Sequence, residues 1–300
     1  MKISPISYKT YSFKSCLRNE KTNIVPLGEL IHQTSFFRRD EIITDLLLQK
    51  YLKENFSNQD EINLVSMGCS SGKELYSYAM MLDDFKGLKL IGVDVSQNAI
   101  DEAQKGRYII DSHYENFLRD ESYFYYYGGD YERRCAKKFH NYFHPVGNKE
   151  FQLNDGAFEN CSFKQGNALE IDKLFKKDSV DILLFRNTLY HLLCEPSSED
   201  NPKRVMTSNH IEVLNDVAKK INRVLKPNGV VAFSYREQDT GIDINELMDV
   251  MLANGFEPVR EYPVNEYKLE YAREMLRKYN DDSYLRKELY SNIWKKVQQV

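Results

Sequence analysis

Several features that define other classes of protein are scarce or missing in this chain of 300 residues. No apolar run reaches the roughly 18 residues that a membrane-spanning helix needs. The polar N-terminus has no apolar core of signal-peptide length. The net charge of −4 gives no basic field that would attract nucleic acid or an anionic membrane. We therefore expect a cytoplasmic protein that binds no nucleic acid and does not insert into membranes.

Cysteine is also sparse, and its spacing excludes two further classes. An odd number of scattered cysteines, with no CxxC motif and no Cys/His cluster, argues against a disulfide framework and against a zinc site. We expect reduced thiols and no metal centre. The five cysteines are Cys16, Cys69, Cys135, Cys161 and Cys194.

What the chain does contain is a series of short apolar segments that alternate with segments of helical periodicity. The predicted strands are 62–67, 88–95, 161–166, 180–186 and 230–236, with another short one after Gly255, and the predicted helices are 31–56, 72–85, 96–106, 210–229 and 243–254. Alternation of this kind predicts an α/β fold, in which a mainly parallel sheet is flanked by helices and joined by right-handed crossovers.

The rhythm of strand and helix breaks once, and both ends of the chain differ from its middle. Turn residues around Pro145–Gly147 and Asn154–Gly156 predict an inserted β-hairpin subdomain. We expect a flexible arm over residues 1–30, a Rossmann-like domain over 31–264 with the insertion at about 108–160, and a helical extension over 265–300.

The segment LVSMGCSSGKELYSYAMM, residues 64–81, contains a motif with two interpretations. Gly68-Cys69-Ser70-Ser71-Gly72 matches the G-x-S-x-G turn of a hydrolase, in which Ser70 would be the nucleophile. That interpretation requires a later acid and a histidine, and His191 and His210 are the histidines that follow the hairpin segment. An isolated pattern of five residues arises often by chance, so this hypothesis ranks last.

The same loop also fits a nucleotide-type cofactor at the start of a helix. Asp94 ends the next predicted strand, 22 residues after Gly72, close to the spacing of an acid that binds ribose hydroxyls. The loop lacks both the full G-x-G-x-x-G pattern and the G-K-[ST] ending of a phosphate-binding loop. A nucleoside without a phosphate group, such as S-adenosylmethionine, fits better, although Asp94 also suits a simple turn or capping role.

Four separated motifs resemble the CheR-type chemoreceptor glutamate methyltransferases. They are Thr34-Ser35-Phe36-Phe37-Arg38, the segment from Gly68 to Ser77, Gly92-Val93-Asp94-Val95, and Phe185-Arg186-Asn187-Thr188-Leu189. Their order and spacing agree with the family over roughly residues 31–236. The resemblance implies a Rossmann-like class I methyltransferase sheet, with the insertion in the place of the family's small β-subdomain.

The resemblance also implies a site for S-adenosylmethionine and its product S-adenosylhomocysteine. Asp94 would accept hydrogen bonds from the ribose, Glu74 would bind the ammonium group, and Arg38 would bind a carboxylate of the cofactor or the substrate. Asn167 would contact the adenine, and Asn187 would support the methionine end. The implied cofactor-binding residues are Thr34, Arg38, Gly68, Ser70, Glu74, Asp94, Asn167 and Asn187, and the implied catalytic residues are Arg38, Arg186, Tyr190 and His191.

The sequence departs from the family pattern at several of these positions. Tyr190 stands one place before the family's tyrosine, whose position His191 occupies, and Lys73 replaces an acid in the loop. Either Tyr190 or His191 lines the methyl-transfer site, or Tyr190 is a packing residue; Arg186 could equally be a buried structural arginine. Only 33 residues precede Thr34, fewer than the family's N-terminal helical domain requires.

The expected acceptor is therefore a protein with an exposed glutamate, and whether this protein is a chemoreceptor stays open. A glutamate carboxylate is ionised at pH 7, so its methylation needs alignment and desolvation rather than a general base. Two alternatives stay open. One is a methyltransferase that acts on a small molecule or on another protein group, and the other is a catalytically silent module that binds S-adenosylmethionine.

Overall fold

The computed structural model describes a set of segments that together form the centre of the chain. These segments are residues 55–56, 60–83, 85–109, 139–186, 188–196, 204–233, 243–259, 274, 277–278 and 292–297. The predicted N-terminal arm and the predicted helix over 31–56 lie almost wholly outside them. Within the described residues, no helix is long and apolar enough to cross a membrane.

Twelve strands run along the described residues. They are β1 (Ile62–Met67), β2 (Leu88–Asp94), β3 (Arg107–Ile109), β4 (Phe143–Gly147), β5 (Glu150–Leu153), β6 (Cys161–Gln165), β7 (Val180–Leu184), β8 (Cys194–Pro196), β9 (Arg204–Met206), β10 (Leu225–Ala232), β11 (Phe256–Pro258) and β12 (Ile293–Lys296). The helices are α1 (Lys73–Met81), α2 (Gln97–Lys105), α3 (Ile171–Leu174), α4 (Leu189–Leu193), α5 (His210–Val224) and α6 (Ile244–Ala253).

The main sheet has seven strands in the order β11-β12-β10-β7-β1-β2-β6. Strands β6, β2, β1, β7 and β10 are parallel to one another, whereas β12 is antiparallel to both β10 and β11. The predicted α/β fold with a mostly parallel sheet is confirmed.

Both faces of this sheet are covered, as expected for parallel strands joined by helices. Successive side chains of a strand point to opposite faces, and Leu64 and Val65 of β1 accordingly belong to different core clusters. The cluster that contains Leu64 includes residues of α1 and of the second sheet, such as Phe143. The cluster that contains Val65 includes the apolar faces of α5 and α6. The sheet is therefore the middle layer of the fold.

A second sheet lies in the interval where the sequence predicts an insertion. Its three strands are antiparallel and have the order β3-β5-β4. It follows α2 directly, because Gly106 ends that helix in the left-handed conformation and its carbonyl accepts the backbone N–H of Leu153 on β5. Residues 110–138 lie outside the described part, so the aromatic segment within them has no structural account.

Several predicted boundaries differ from the structure, most of all around Pro227 and near the C-terminal end of the described residues. Helix α5 ends at Val224 rather than at residue 229, because Pro227 disfavours a helical conformation in the residue before it. Strand β10 begins at Leu225, and its pairing with β7 shifts register between Leu225 and Val230. Residues 293–296, predicted as part of a helical extension, instead form β12, in which Ile293 and Trp294 are fully buried.

Candidate cofactor site

Several of the predicted site residues lie beyond the carboxyl ends of the central strands of the main sheet. Strands β2 and β6 follow β1 on one side, and β7 and β10 lie on the other side, so the strand order reverses between β1 and β7. Ligands of open α/β sheets bind at such a reversal, beyond the carboxyl ends of the strands. The loop 68–72 follows β1 at this point, Asp94 ends β2, and Arg186 follows β7.

The loop 68–72 turns sharply because three of its residues adopt left-handed backbone angles. The φ angles are 72° at Gly68, 48° at Ser70 and 79° at Gly72. Glycine adopts this conformation readily, whereas serine does so at a cost. A Cβ on Gly68 would lie 2.5 Å from Thr188 Oγ1, so close packing also requires glycine at that position.

Asp94 is the acid around which this loop is organised. Its Oδ2 accepts the backbone N–H of Ser70 at 2.8 Å, and its Oδ1 accepts that of Ser96 at 2.9 Å. Ser96 in turn caps α2, since its Oγ accepts the N–H of Ala99. Burial raises the pKa of the Asp94 carboxyl, while the backbone hydrogen bonds from Ser96 and Ser70 oppose that shift. The turn role weighed for Asp94 is thus present, whereas the cap of α2 is Ser96, and the two bonds leave lone pairs on both carboxylate oxygens.

The contacts of Ser70 do not support the hydrolase hypothesis. Its hydrogen bonds to other described residues are made by its backbone, with Asp94 and with the thiol of Cys69. His210 lies elsewhere, with its ring nitrogens close to the carbonyl of Thr207 and the carboxylate of Glu246. In the part of the chain that the structure describes, no histidine is hydrogen-bonded to Ser70 Oγ.

Glu74 and Arg186 form a buried ion pair beside the loop. Arg186 Nη1 lies 2.9 Å from Glu74 Oε1, and the two side chains are 1% and 11% exposed. Ser66 Oγ donates to Glu74 Oε2 at 3.1 Å, and Arg186 Nη1 also donates to the hydroxyl of Tyr78 at 3.3 Å. Arg186 thus has the partners expected of a buried structural arginine, and its catalytic role remains a prediction.

The remaining predicted residues are distributed less closely. Asn167 caps the 3₁₀ turn Ala168–Glu170 through its side-chain oxygen, which accepts the N–H of Leu169 at 2.9 Å. Tyr190 and His191 lie half-buried on α4 with their rings in edge contact, 5.7 Å between centroids. Thr34, Arg38 and Asn187 lie outside the described residues.

Thr188 is a site residue that the sequence analysis did not single out. Its Oγ1 donates to the carbonyl of Met67 at 2.8 Å, which joins the segment after β7 to the end of β1. Thr188 is buried and packs against Gly68. Its place in the motif from Phe185 to Leu189 could have pointed to a site role. Only the fold shows that this motif contacts the loop 68–72.

Comparison with known proteins finds methyltransferase profiles that match two parts of the chain. The profile described as "CheR methyltransferase, SAM binding domain" matches residues 32–132, and one described as "Methyltransferase domain" matches residues 148–257. The predicted resemblance to the CheR-type methyltransferases is confirmed over residues 32–132. A chemotaxis protein methyltransferase of Campylobacter jejuni is 24% identical over 202 residues, which is 67% of this chain and 64% of that protein. Chemotaxis protein methyltransferase 1 of Vibrio cholerae is 24% identical over 261 residues, covering 84% and 78%.

The chain therefore spans less than two thirds of the Campylobacter relative. Among solved structures, phosphoethanolamine N-methyltransferase 2 of Haemonchus contortus in complex with S-adenosyl-L-methionine is similar at a TM-score of 0.40 and 14% identity, with 88% of this chain and 54% of that one covered. This likeness is low, and the class I methyltransferase fold is assigned from the sheet order and the family profiles instead.

S-adenosylmethionine is the cofactor of this CheR-type domain, and the described residues fit it. Asp94 retains acceptor capacity on both carboxylate oxygens for the two ribose hydroxyls. Glu74 Oε1 is buried and faces Arg186 without an aligned hydrogen bond from any described residue. This oxygen has acceptor capacity left, and the binding of the cofactor's ammonium group by Glu74 stays a prediction.

Proposed function

We propose that this protein transfers a methyl group from S-adenosylmethionine to the side-chain carboxylate of a glutamate in a cytoplasmic protein acceptor. The observation that carries the proposal is the arrangement of Asp94 and the loop 68–72 at the reversal of strand order. The named relatives, which are chemotaxis protein methyltransferases, support a protein acceptor. A chemoreceptor is the first acceptor to test.

Each residue of the site has a task in this proposal. Asp94 binds the ribose hydroxyls, and Glu74, oriented by Arg186 and Ser66, binds the ammonium group of the methionine moiety. Asn167 contacts the adenine through its amide nitrogen, because its side-chain oxygen is used for capping. The cofactor-binding set also includes Gly68, Ser70, Thr34, Arg38 and Asn187.

The chemistry of the step requires little proton transfer. When bound, S-adenosylmethionine supplies a methyl group on a sulfonium centre, and the methyl–sulfur electron pair goes to sulfur as the carboxylate oxygen forms the new bond. The glutamate is already ionised, so the chain has to align it and exclude water. Arg38, Tyr190 and His191 are proposed to line the acceptor side.

The experiment that tests this function uses S-adenosylmethionine with a tritiated methyl group. Purified protein is incubated with cytoplasmic fragments of chemoreceptors, and label released as methanol by base is counted. We expect base-labile label on the fragments and its loss when the methylated glutamates are changed to glutamine. An Asp94→Ala variant measures the background.

Other outcomes of the same experiment identify the alternatives. Base-stable label on a protein or a small molecule would contradict a carboxylate acceptor and favour the second kind of methyltransferase. Saturable binding of the cofactor without transfer to any acceptor in a cell extract would contradict turnover and favour a silent binding module.

A further inference from the structure

A hydrogen bond joins the second sheet to the cofactor loop. The hydroxyl of Tyr108 donates to the backbone carbonyl of Ser71 at 2.7 Å. Tyr108 is the central residue of β3, with 4% of its surface exposed, and Ser71 lies in the loop between β1 and α1. The inserted sheet thus contacts the backbone that the cofactor has to approach.

The position of Ser71 within the loop makes this contact important. Its neighbours Ser70 and Gly72 both have left-handed backbone angles, so rotation at Ser71 would redirect the whole turn. The other hydrogen bonds of the loop join it to β2, to α1 or to itself. The N–H groups of Gly68 and Cys69 both donate to the carbonyl of Val93, for example. Tyr108 is the described residue through which the inserted segment hydrogen-bonds the loop.

The surroundings of Tyr108 hold its hydroxyl in place. Its ring packs against those of Tyr76 and Phe143, at centroid distances of 6.3 and 6.0 Å, and the Nζ of Lys73 is 5.5 Å from its centre. Burial raises the pKa of Tyr108 well above its ordinary value, so the phenol stays protonated and remains a donor. Packing of the Tyr108 ring therefore holds its hydroxyl in position to donate to the Ser71 carbonyl of the loop.

We propose that Tyr108 is a positioning residue that couples the inserted sheet to the loop 68–72 and thereby sets the affinity for S-adenosylmethionine. In this proposal Tyr108 does not contact the cofactor itself but affects its binding through the Ser71 carbonyl of the loop. It rests on the proposed function only in so far as the loop binds this cofactor.

The test compares Tyr108→Phe with Tyr142→Phe. Both variants keep the ring and lose one hydroxyl that joins two segments, since Tyr142 donates to Asp83 at an exposed position, 2.6 Å apart. Calorimetric titration with S-adenosylmethionine and S-adenosylhomocysteine gives Kd, and thermal unfolding gives Tm. We expect Kd to rise about 5- to 10-fold for Tyr108→Phe, as for the loss of one buried hydrogen bond, and to stay unchanged for Tyr142→Phe.

The outcomes separate this inference from the function on which it rests. An unchanged Kd in Tyr108→Phe, with the unaltered protein binding normally, would overturn the positioning role alone. An equal rise of Kd in both variants would also overturn it, because general loosening would then explain the effect. Absence of binding by the unaltered, folded protein would overturn the proposed function together with this inference. Once an acceptor is known, we expect the KM for S-adenosylmethionine to rise in Tyr108→Phe while kcat stays constant.

Discussion

Asp94 Oδ2 accepts the backbone N–H of Ser70 at 2.8 Å, across 24 positions of sequence. The same carboxylate accepts the N–H of Ser96 through its other oxygen. One acidic side chain therefore holds the loop after β1 and the turn into α2 together. The carboxylate that would bind the ribose hydroxyls is thus also the group that holds the surrounding backbone in place.

Replacement of Asp94 by alanine should remove measurable binding of S-adenosylmethionine. The change deletes two proposed hydrogen bonds that the ribose hydroxyls donate to the carboxylate, each worth about 1.5–3 kcal/mol, so Kd should rise by about 100-fold or more. Calorimetric titration measures this. Asp101→Asn, on the neighbouring helix α2, is the matched control. Among the described residues, the side chain of Asp101 is hydrogen-bonded only to the side chain of Gln97. Near-native affinity in Asp94→Ala would contradict the ribose role.

The raised pKa of Asp94 predicts the direction of two pH effects. Burial lifts the folded-state pKa above the ordinary 3.8, so the folded state holds the proton more tightly than the unfolded state in that window. The contribution of Asp94 to stability therefore falls as pH rises from 3.8 through its folded pKa. Cofactor binding, which needs the ionised form, should weaken on acidification before an ordinary aspartate would protonate.

Comparison of the unaltered protein with Asp94→Asn, which cannot titrate at this position, measures the effect on stability. Thermal unfolding followed from pH 7 downward, with the range near 3.8 sampled closely, should show a difference in Tm that changes with pH only in that range. A pH-independent difference between the two proteins would contradict the assignment to Asp94.

The buried pair of Glu74 and Arg186 should be strongly coupled. Arg186→Met leaves the Glu74 charge without its partner, which should cost about 3–5 kcal/mol in the free energy of unfolding. Addition of Glu74→Gln should recover much of this loss. Urea unfolding of both single variants and the double variant measures the coupling. The exposed pair of Lys89 and Glu61 is the control, and its removal should leave stability unchanged. Additive effects at Glu74 and Arg186 would contradict the coupling.

Replacement of Ser70 by alanine should leave cofactor binding within about twofold, since both residues meet a similar cost at a positive φ. The contacts of Ser70 with Asp94 and Cys69 are made by its backbone, and alanine retains them. Titration with S-adenosylmethionine checks the affinity, and an ester substrate checks for hydrolysis in parallel. An esterase activity that disappears in Ser70→Ala would revive the hydrolase hypothesis.

Replacement of Gly68 by alanine should destabilise the protein by about 2–3 kcal/mol. The positive φ accounts for about 1 kcal/mol, and overlap with Thr188 Oγ1 accounts for the rest. Gly156→Ala is a matched control, because Gly156 has a φ of +74° but a Cβ there would meet only Glu159 Oε1, at 3.9 Å. Urea unfolding should show a smaller loss for Gly156→Ala. Equal losses would contradict the role of Thr188.

Much of the fold was predictable because its signals are local. The apolar segments that become β1, β2, β6 and β7 are short and bounded by turn residues, so their alternation with helices indicates a parallel sheet. Ser96 was recognised as a cap because a serine before a helix commonly accepts its N–H groups, as observed. The boundary of α5 was less predictable, since the residues around Pro227 are compatible with a helix end or with an irregular strand.

The sequence by itself determined the class of the fold, the resemblance to CheR-type methyltransferases and the cofactor, because these signals lie in short local motifs such as the one around Ser70. Only the tertiary structure decided which distant residues meet. The partner of Glu74, the contact of Thr188 with the loop and the bond from Tyr108 to Ser71 all depend on strands that pair far along the chain. Strand β12 is the same case, because this short segment in a charged region is an interior strand only through its pairing with β10 and β11, which are distant in sequence.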